Sequence, residues 1–397
     1  MSVADLPRSW PQPEPEALEL SERLAASLRE RIAASDDGWM PFDTWMEAAL
    51  YTPGLGYYAG GAAKFGGAGD FVTAPVVSPL FAWTLARDVA RILRAGGDTV
   101  LEFGPGDGQL CVELLQELAE LDALPEHYLL LERSASLRAR QEEALQALPE
   151  EVRRRVYWLD APPQDKVRGV ILANEVADAL PVRRFQRTED GVLELGVELA
   201  DDGGFRWGTR ARDDLAGHVA ALETVLGRRL QPGYESEYHQ QLPGWINVLS
   251  DSLHWGICLV IDYGYPRDEY YHPQRRQGTL MCHYRHRAHP DPFLLPGLQD
   301  ITAFVDFTAM AEVGQEAGMD VLGYTAQAHY LMGAGITQVL EARMRAADEA
   351  ASLRLSQQAK TLMLPGEMGE RFQVLGLGRG CEEALAGFSM YNRLERL

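Results

Sequence analysis

Val100-Leu-Glu-Phe-Gly-Pro-Gly-Asp-Gly108 is the stretch whose reading decides the fold. Thr99 to Phe103 is a short apolar run of strand formers that breaks at a glycine turn. Apolar residues then recur at 110, 111, 114, 115, 118 and 121, which is one face of a helix. Strand, glycine turn and helix together make a unit in which a ligand approaches bare backbone. The helix N-terminus there offers N–H groups to a negative group. The glycines stand at Gly104, Gly106 and Gly108, with Pro105 and Asp107 between them. Position 109, where the dinucleotide fingerprint G-x-G-x-x-G wants glycine, is Gln109.

Outward from this turn the pattern repeats. Tyr128 to Leu131 reads as a second strand closing on Glu132, followed by a helix over Ser136 to Leu148. Val156 to Leu159 and Gly169 to Leu172 read as strands three and four, and Ile257 to Ile261 (ICLVI) as a later buried strand. Such alternation predicts an α/β fold, a doubly wound and mostly parallel sheet with helices on both faces. Before it, Ser21 to Ala34 predicts a helix capped by Ser21, and Pro41 to Leu50 a short one anchored by Trp45 and Met46. Tyr51 to Gly69 is too rich in glycine for a regular element. Period-two stretches around Leu193 to Leu199 predict a hairpin in an inserted subdomain, and Tyr265 to Gly297 reads as a polar loop. The expected organisation is a helical and glycine/aromatic-rich cap over 1–95, a nucleotide-binding half over 96–190, an insertion over 191–251, and the rest of the sheet with C-terminal helices over 252–397.

The composition is that of an ordinary globular chain, with 37 basic residues against 58 acidic and a formal charge of −21. That field repels nucleic acid and anionic lipid and favours a cationic partner. No run approaches the ~18 apolar residues of a membrane span. Met1 to Leu20 lacks the order of a signal or transit peptide, so cytoplasm is the expectation. Cys111, Cys258, Cys282 and Cys381 are scattered and read as reduced thiols. The run Cys282-His283-Tyr-Arg-His286-Arg-Ala-His289 tempts a metal reading. Arg285 and Arg287 between the histidines would repel a cation, however, and no second cluster lies near, so no metal is expected.

Three places carry chemistry. Glu102 ahead of the glycine turn, with Gln109 in place of glycine, favours an S-adenosylmethionine site over a nicotinamide one. Glu132 at a strand end can accept the ribose hydroxyls of an adenosyl ligand, and Asp160 can accept from an adenine amino group. After strand four, Ala173-Asn-Glu-Val-Ala-Asp-Ala-Leu-Pro181 offers Asn174, Glu175 and Asp178 where a sheet of this kind binds its ligand's reactive end. Carboxylates there can hold a guanidinium or amine in line with a sulfonium methyl and accept the proton it loses. Tyr51, Tyr57 and Tyr58 can stack on a sulfonium or simply pack.

The chain resembles the MidA family of methyltransferases. The matching blocks are GYY at Gly56 to Tyr58, GDFVTAP at Gly69 to Pro75, SPLF at Ser78 to Phe81 and LEFGPGDG at Leu101 to Gly108. ANE..DALP at Ala173 to Pro181, IDYG at Ile261 to Gly264, GTL at Gly278 to Leu280, DITAFVDF at Asp300 to Phe307 and MGERFQVL at Met368 to Leu375 follow in order. The resemblance implies a class I methyltransferase fold and S-adenosyl-L-methionine as donor. It implies that GDFVTAP, with Thr73 and Pro75, helps close the cofactor pocket, and that Glu175 grips a protein guanidinium. In the family's mitochondrial branch the protein substrate is linked to respiratory complex I assembly; a homodimer is compatible with the sequence. The family's loop usually carries aromatics after Asn-Glu, whereas Val176-Ala177 here predicts a wider acceptor pocket. A small-molecule methyltransferase, or an assembly chaperone that binds the nucleoside with little chemistry, are the alternatives.

Overall fold

The computed structural model describes residues 10–60 and 73–397. They form two compact units. One holds the described residues before 61 with Asp178–Leu242 and Arg267–Phe304; the other holds those from 73 to Ala177 with Pro243–Pro266 and Val305–Leu397. Of residues 191–251, those to Leu242 fall in the first unit and those from Pro243 in the second.

In the first unit, strands β1 (Trp39–Pro41), β6 (Arg183–Arg187), β7 (Val192–Leu199), β8 (Phe205–Ala211) and β9 (Glu235–Tyr238) make a sheet in the order β1-β7-β6-β9, with β8 also on β7. The predicted hairpin is β7 and β8, paired antiparallel from Leu193↔Ala211 to Leu199↔Phe205. The helix Pro15–Ala33 begins earlier than Ser21 predicts. Pro15 sits at its start behind Glu14, where a missing N–H costs nothing, while Ser21 is buried inside it. The helix Phe42–Tyr51 buries Phe42, Trp45 and Met46 completely. The stretch read as a polar loop holds two strands, β11 (Met281–Tyr284) and β12 (Arg287–His289), which join β13 (Asp300–Thr302) just beyond it in a small sheet, β12-β11-β13. Only Cys282 and Tyr284 of β11 face inward, so its apolar alternation is too short to register in sequence.

The second unit is a layered α/β body. Its sheet runs β15-β16-β10-β5-β2-β3-β4, with β2 (Thr99–Phe103), β3 (His127–Leu131), β4 (Val156–Leu159), β5 (Val167–Asn174), β10 (Leu253–Tyr265), β15 (Asp320–Ala326) and β16 (Phe372–Arg379); β14 (Val305–Asp306) joins the end of β10. β2 to β5 and β10 are mutually parallel, and only β16 pairs antiparallel with its neighbours. Ile257, Cys258, Leu259 and Val260 of β10 are wholly excluded from water, each apolar side chain contributing about 1.5–3 kcal/mol. This continuous run, rather than an alternating one, reflects a strand covered on both faces. Strand order reverses at β2 and β5, so the loops after Phe103 and Asn174 leave the sheet side by side, where ligands bind in folds of this class. No helix among the described residues is long and apolar enough to cross a membrane.

Candidate active site

The glycine turn leaves β2 and enters the helix Gln109–Glu120 with Gly104, Gly106 and Gly108 at φ of 61°, 56° and 85°. These are left-handed values that side-chain-bearing residues adopt at a cost of about 1–2 kcal/mol. Space is short as well. A Cβ on Gly104 would lie 2.9 Å from Val176 Cγ2, and one on Gly108 3.2 Å from Gln141 Cα. Pro105 O accepts the Gly108 N–H at 2.9 Å, which tightens the turn.

Glu132 closes β3 almost fully buried. Its Oε1 accepts the Ser134 N–H at 2.7 Å and its Oε2 accepts from Gln141 Nε2 at 3.3 Å. Burial raises its carboxyl above the usual range, and the bonds to Ser134 and Gln141 oppose that shift. The same Gln141 Nε2 donates to Gly106 O at 2.8 Å, and Gln141 Oε1 accepts from Trp158 Nε1 at 2.8 Å. One buried glutamine therefore ties the glycine turn, Glu132 and β4 together. Neither Gln141 nor Trp158 carries a signal in sequence, since each acts only through residues brought near by the fold. Asp160 stands apart. Its side chain is largely exposed and paired to Arg138 at 2.6 Å, and Arg138 Nε in turn donates to Glu132 O at 2.8 Å.

Glu102 lies beneath the turn, 3% exposed, and its Oε2 accepts the Tyr128 hydroxyl at 2.7 Å. Burial pushes its carboxyl up to about 7; the bond to Tyr128 pulls the other way, and the charge of Asp107 adds to the rise. Its bond to Tyr128 ties β2 to β3 just ahead of the turn.

After β5 the chain turns sharply. Glu175 holds φ of 54°, a left-handed conformation in a residue that is not glycine, and strain of this kind gathers at functional sites. Its Oε1 accepts from Asn174 Nδ2 at 3.2 Å and from the Ala74 N–H at 3.3 Å. Asn174 and the TAP segment thus converge on Glu175. Thr73 is the extended residue before the helical turn Ala74–Val77, and Pro75 is buried at its start. Gly69, Asp70, Phe71 and Val72 lie outside the described residues, and with them the first half of GDFVTAP. Val176, half-buried, lies against Gly104, and Ala177 is fully buried. Asp262, on β10, is fully buried, and Oδ2 accepts the N–H groups of Val176 and Ala177 at 3.2 and 2.8 Å. In sequence Asp262 stands out only as part of the IDYG block that follows a buried strand.

Asp178 belongs to the first unit, 5% exposed, with its carbonyl accepting the Ala303 N–H at 3.0 Å. In the same unit the Tyr58 hydroxyl donates to Asp300 Oδ1 at 2.9 Å, and the Tyr51 and Tyr58 rings stack at 5.5 Å. Burial, then the charges of Asp300 and Asp178, push both hydroxyls upward. Tyr57 belongs to the apolar core of this unit. In the β11–β12 hairpin burial lowers His283 to about 4, and His289 is lowered too. Among the described residues no group of three or more His, Cys, Asp or Glu is arranged to hold a metal ion.

A model of a family of S-adenosyl-L-methionine-dependent methyltransferases matches residues 84–325. The mitochondrial protein arginine methyltransferase NDUFAF7 of Danio rerio is 28% identical over 395 residues, covering 89% of this chain and 86% of its own. That of Homo sapiens is 27% identical over 370 residues, covering 84% and 78%. The crystal structure of a candidate methyl transferase from Burkholderia thailandensis, bound to S-adenosyl-homocysteine, superposes with a TM-score of 0.91 at 46% identity, covering 98% of this chain and 100% of that one.

Proposed function

We propose, for a chain that belongs to the MidA family of S-adenosyl-L-methionine-dependent methyltransferases, that the methyl acceptor is a protein side chain and that this side chain is arginine. The chain's own residues fit the donor. The left-handed glycine turn bares its backbone and has no room for a side chain at Gly104 or Gly108, and Glu132 is tied to it through one glutamine. Asn174 Oδ1 is buried at the end of β5 with no hydrogen-bond partner among the described residues, a polar atom suited to a ligand. Glu132 would hold the ribose diol, the glycine turn would let the amino-acid part approach the backbone, and Glu102 would face it from below. When bound, the donor supplies a methyl group on a sulfonium, whose loss leaves a neutral thioether.

The observation that carries the arginine reading is the Glu175 carboxylate. It is fixed by two donors on Oε1 and by a left-handed backbone, at the carboxyl end of β5. A carboxylate so held can accept guanidinium N–H groups, orient the planar acceptor, and offset its charge. It draws charge toward the N–H it binds and leaves the other nitrogen's electron pair for the incoming methyl. As the N–C bond forms, that nitrogen's proton passes to the carboxylate or to water. The mitochondrial relatives that cover most of this chain are named protein arginine methyltransferases, and the −21 charge suits a cationic segment as partner. The experiment is transfer of a labelled methyl group from S-adenosylmethionine to arginine-containing peptides, followed by acid hydrolysis and amino-acid analysis. Label in methylarginine supports the reading. Label only in lysine, or only in small-molecule acceptors offered alongside, overturns it.

A further inference from the structure

Glu175 is the residue of the site whose backbone is under strain, and β10 faces it from the next strand. The Glu175 N–H donates to Ile261 O at 2.9 Å, continuing the β5–β10 ladder one step past Asn174↔Ile261. The next two N–H groups, of Val176 and Ala177, then turn onto a single carboxylate oxygen, Asp262 Oδ2, at 3.2 and 2.8 Å. Asp262 Oδ1 accepts the N–H of Tyr263 at 2.8 Å. Asp262 is 0% exposed. A hydroxyl or an amide oxygen could cap such a turn at far smaller desolvation cost than a buried carboxylate. A charged acceptor makes the stronger bonds, and strong bonds are what a left-handed glutamate needs to persist.

We infer that Asp262 is a positioning residue: its buried carboxylate locks the Glu175–Ala177 turn and thereby aims the Glu175 side chain at the methyl acceptor. The division of labour is explicit in the geometry. Asn174 Nδ2 and the Ala74 N–H fix Glu175 Oε1 from the side chain, and Asp262 fixes the backbone from behind. Val176, held by the same oxygen, also presents its Cγ2 to Gly104, so the brace extends to the glycine turn. The inference rests on the reading of Glu175 as the acceptor-holding group.

The test is a double-mutant cycle on thermal stability together with a split of transfer rate from donor affinity, in the full chain. Asp262→Asn keeps the volume and removes the charge. It is expected to lower kcat for whichever acceptor is methylated by about tenfold or more, the cost of a misplaced orienting group. The Kd for S-adenosylhomocysteine should stay within about twofold. In parallel, Glu175→Gly makes the left-handed conformation easy without any brace. The Tm lost on Asp262→Asn should therefore be at least halved in the Glu175→Gly background. Coupling in Tm, with kcat reduced and donor affinity kept, supports the inference. An equal Tm loss in both backgrounds overturns it, because Asp262 would then be filling the core without reference to residue 175. Coupling in Tm with transfer undiminished overturns the acceptor-holding role of Glu175, and the functional half of the inference with it, while the brace itself stands.

Discussion

Tyr128 donates its hydroxyl hydrogen to Glu102 Oε2 at 2.7 Å, from β3 to the adjacent β2, with both residues closed to water. The bond offsets only part of the burial, and the Glu102 carboxyl is pushed up from 4.5 to about 7. A raised folded-state value means that the folded protein keeps this proton where the unfolded chain has released it. The stability it contributes is full below about pH 4.5, falls as pH rises toward about 7, and is flat above. Glu102→Gln retains an acceptor for Tyr128 and carries no charge. Thermal melts of the ligand-free protein should therefore show the variant gaining on wild type as pH rises, by on the order of 3 kcal/mol at about pH 8. A stability difference independent of pH between about 4.5 and 8 contradicts this.

Glu132 is predicted to carry donor affinity irrespective of the acceptor. Losing a hydrogen bond to a charged group costs about 1.5–3 kcal/mol, so Glu132→Ala should weaken S-adenosylhomocysteine about 10- to 100-fold in a calorimetric titration. Gln141→Ala should give a smaller loss, because Gln141 acts by tying Gly106 to Glu132. Unchanged affinity in Glu132→Ala would remove the ribose assignment.

The glycine turn has its own signature. Gly104→Ala forces an L-residue to φ near 61° and brings its methyl to 2.9 Å from Val176 Cγ2. The backbone part alone costs about 1–2 kcal/mol. Both Tm and donor affinity should fall, and adding Val176→Ala should recover the steric part and leave the backbone part. Recovery of the whole loss by Val176→Ala would show that the left-handed backbone is not what the glycine supplies.

Much of the parallel body was legible because its signals are local. Thr99 to Phe103, the three glycines and the helix after them fall where periodicity places them, as does the strand ending at Glu132. Long-range features were not. Asp262 braces the Glu175–Ala177 turn from a strand 86 positions beyond Val176, and Gln141 looks like any polar helix residue until Gly106 and Trp158 are beside it. A unit assembled from three separate segments leaves no contiguous pattern to read. In the first helix Ser21 mimics a cap, while the helix starts at Pro15, whose missing N–H costs nothing there. Where Val176-Ala177 sit was not legible either: Val176 is half-buried against Gly104 and Ala177 is fully buried.

On the proposed reading, donor and acceptor functions fall on different residues, Glu132 with the glycine turn for one and Glu175 for the other. The measurement that separates them is calorimetric titration of S-adenosylhomocysteine into wild type and Glu175→Gln side by side, with methyl transfer assayed on the same preparations. Equal affinities within about twofold, with transfer lost only in the variant, is the predicted result. Loss of binding in Glu175→Gln would place Glu175 in the donor site and contradict its role toward the acceptor.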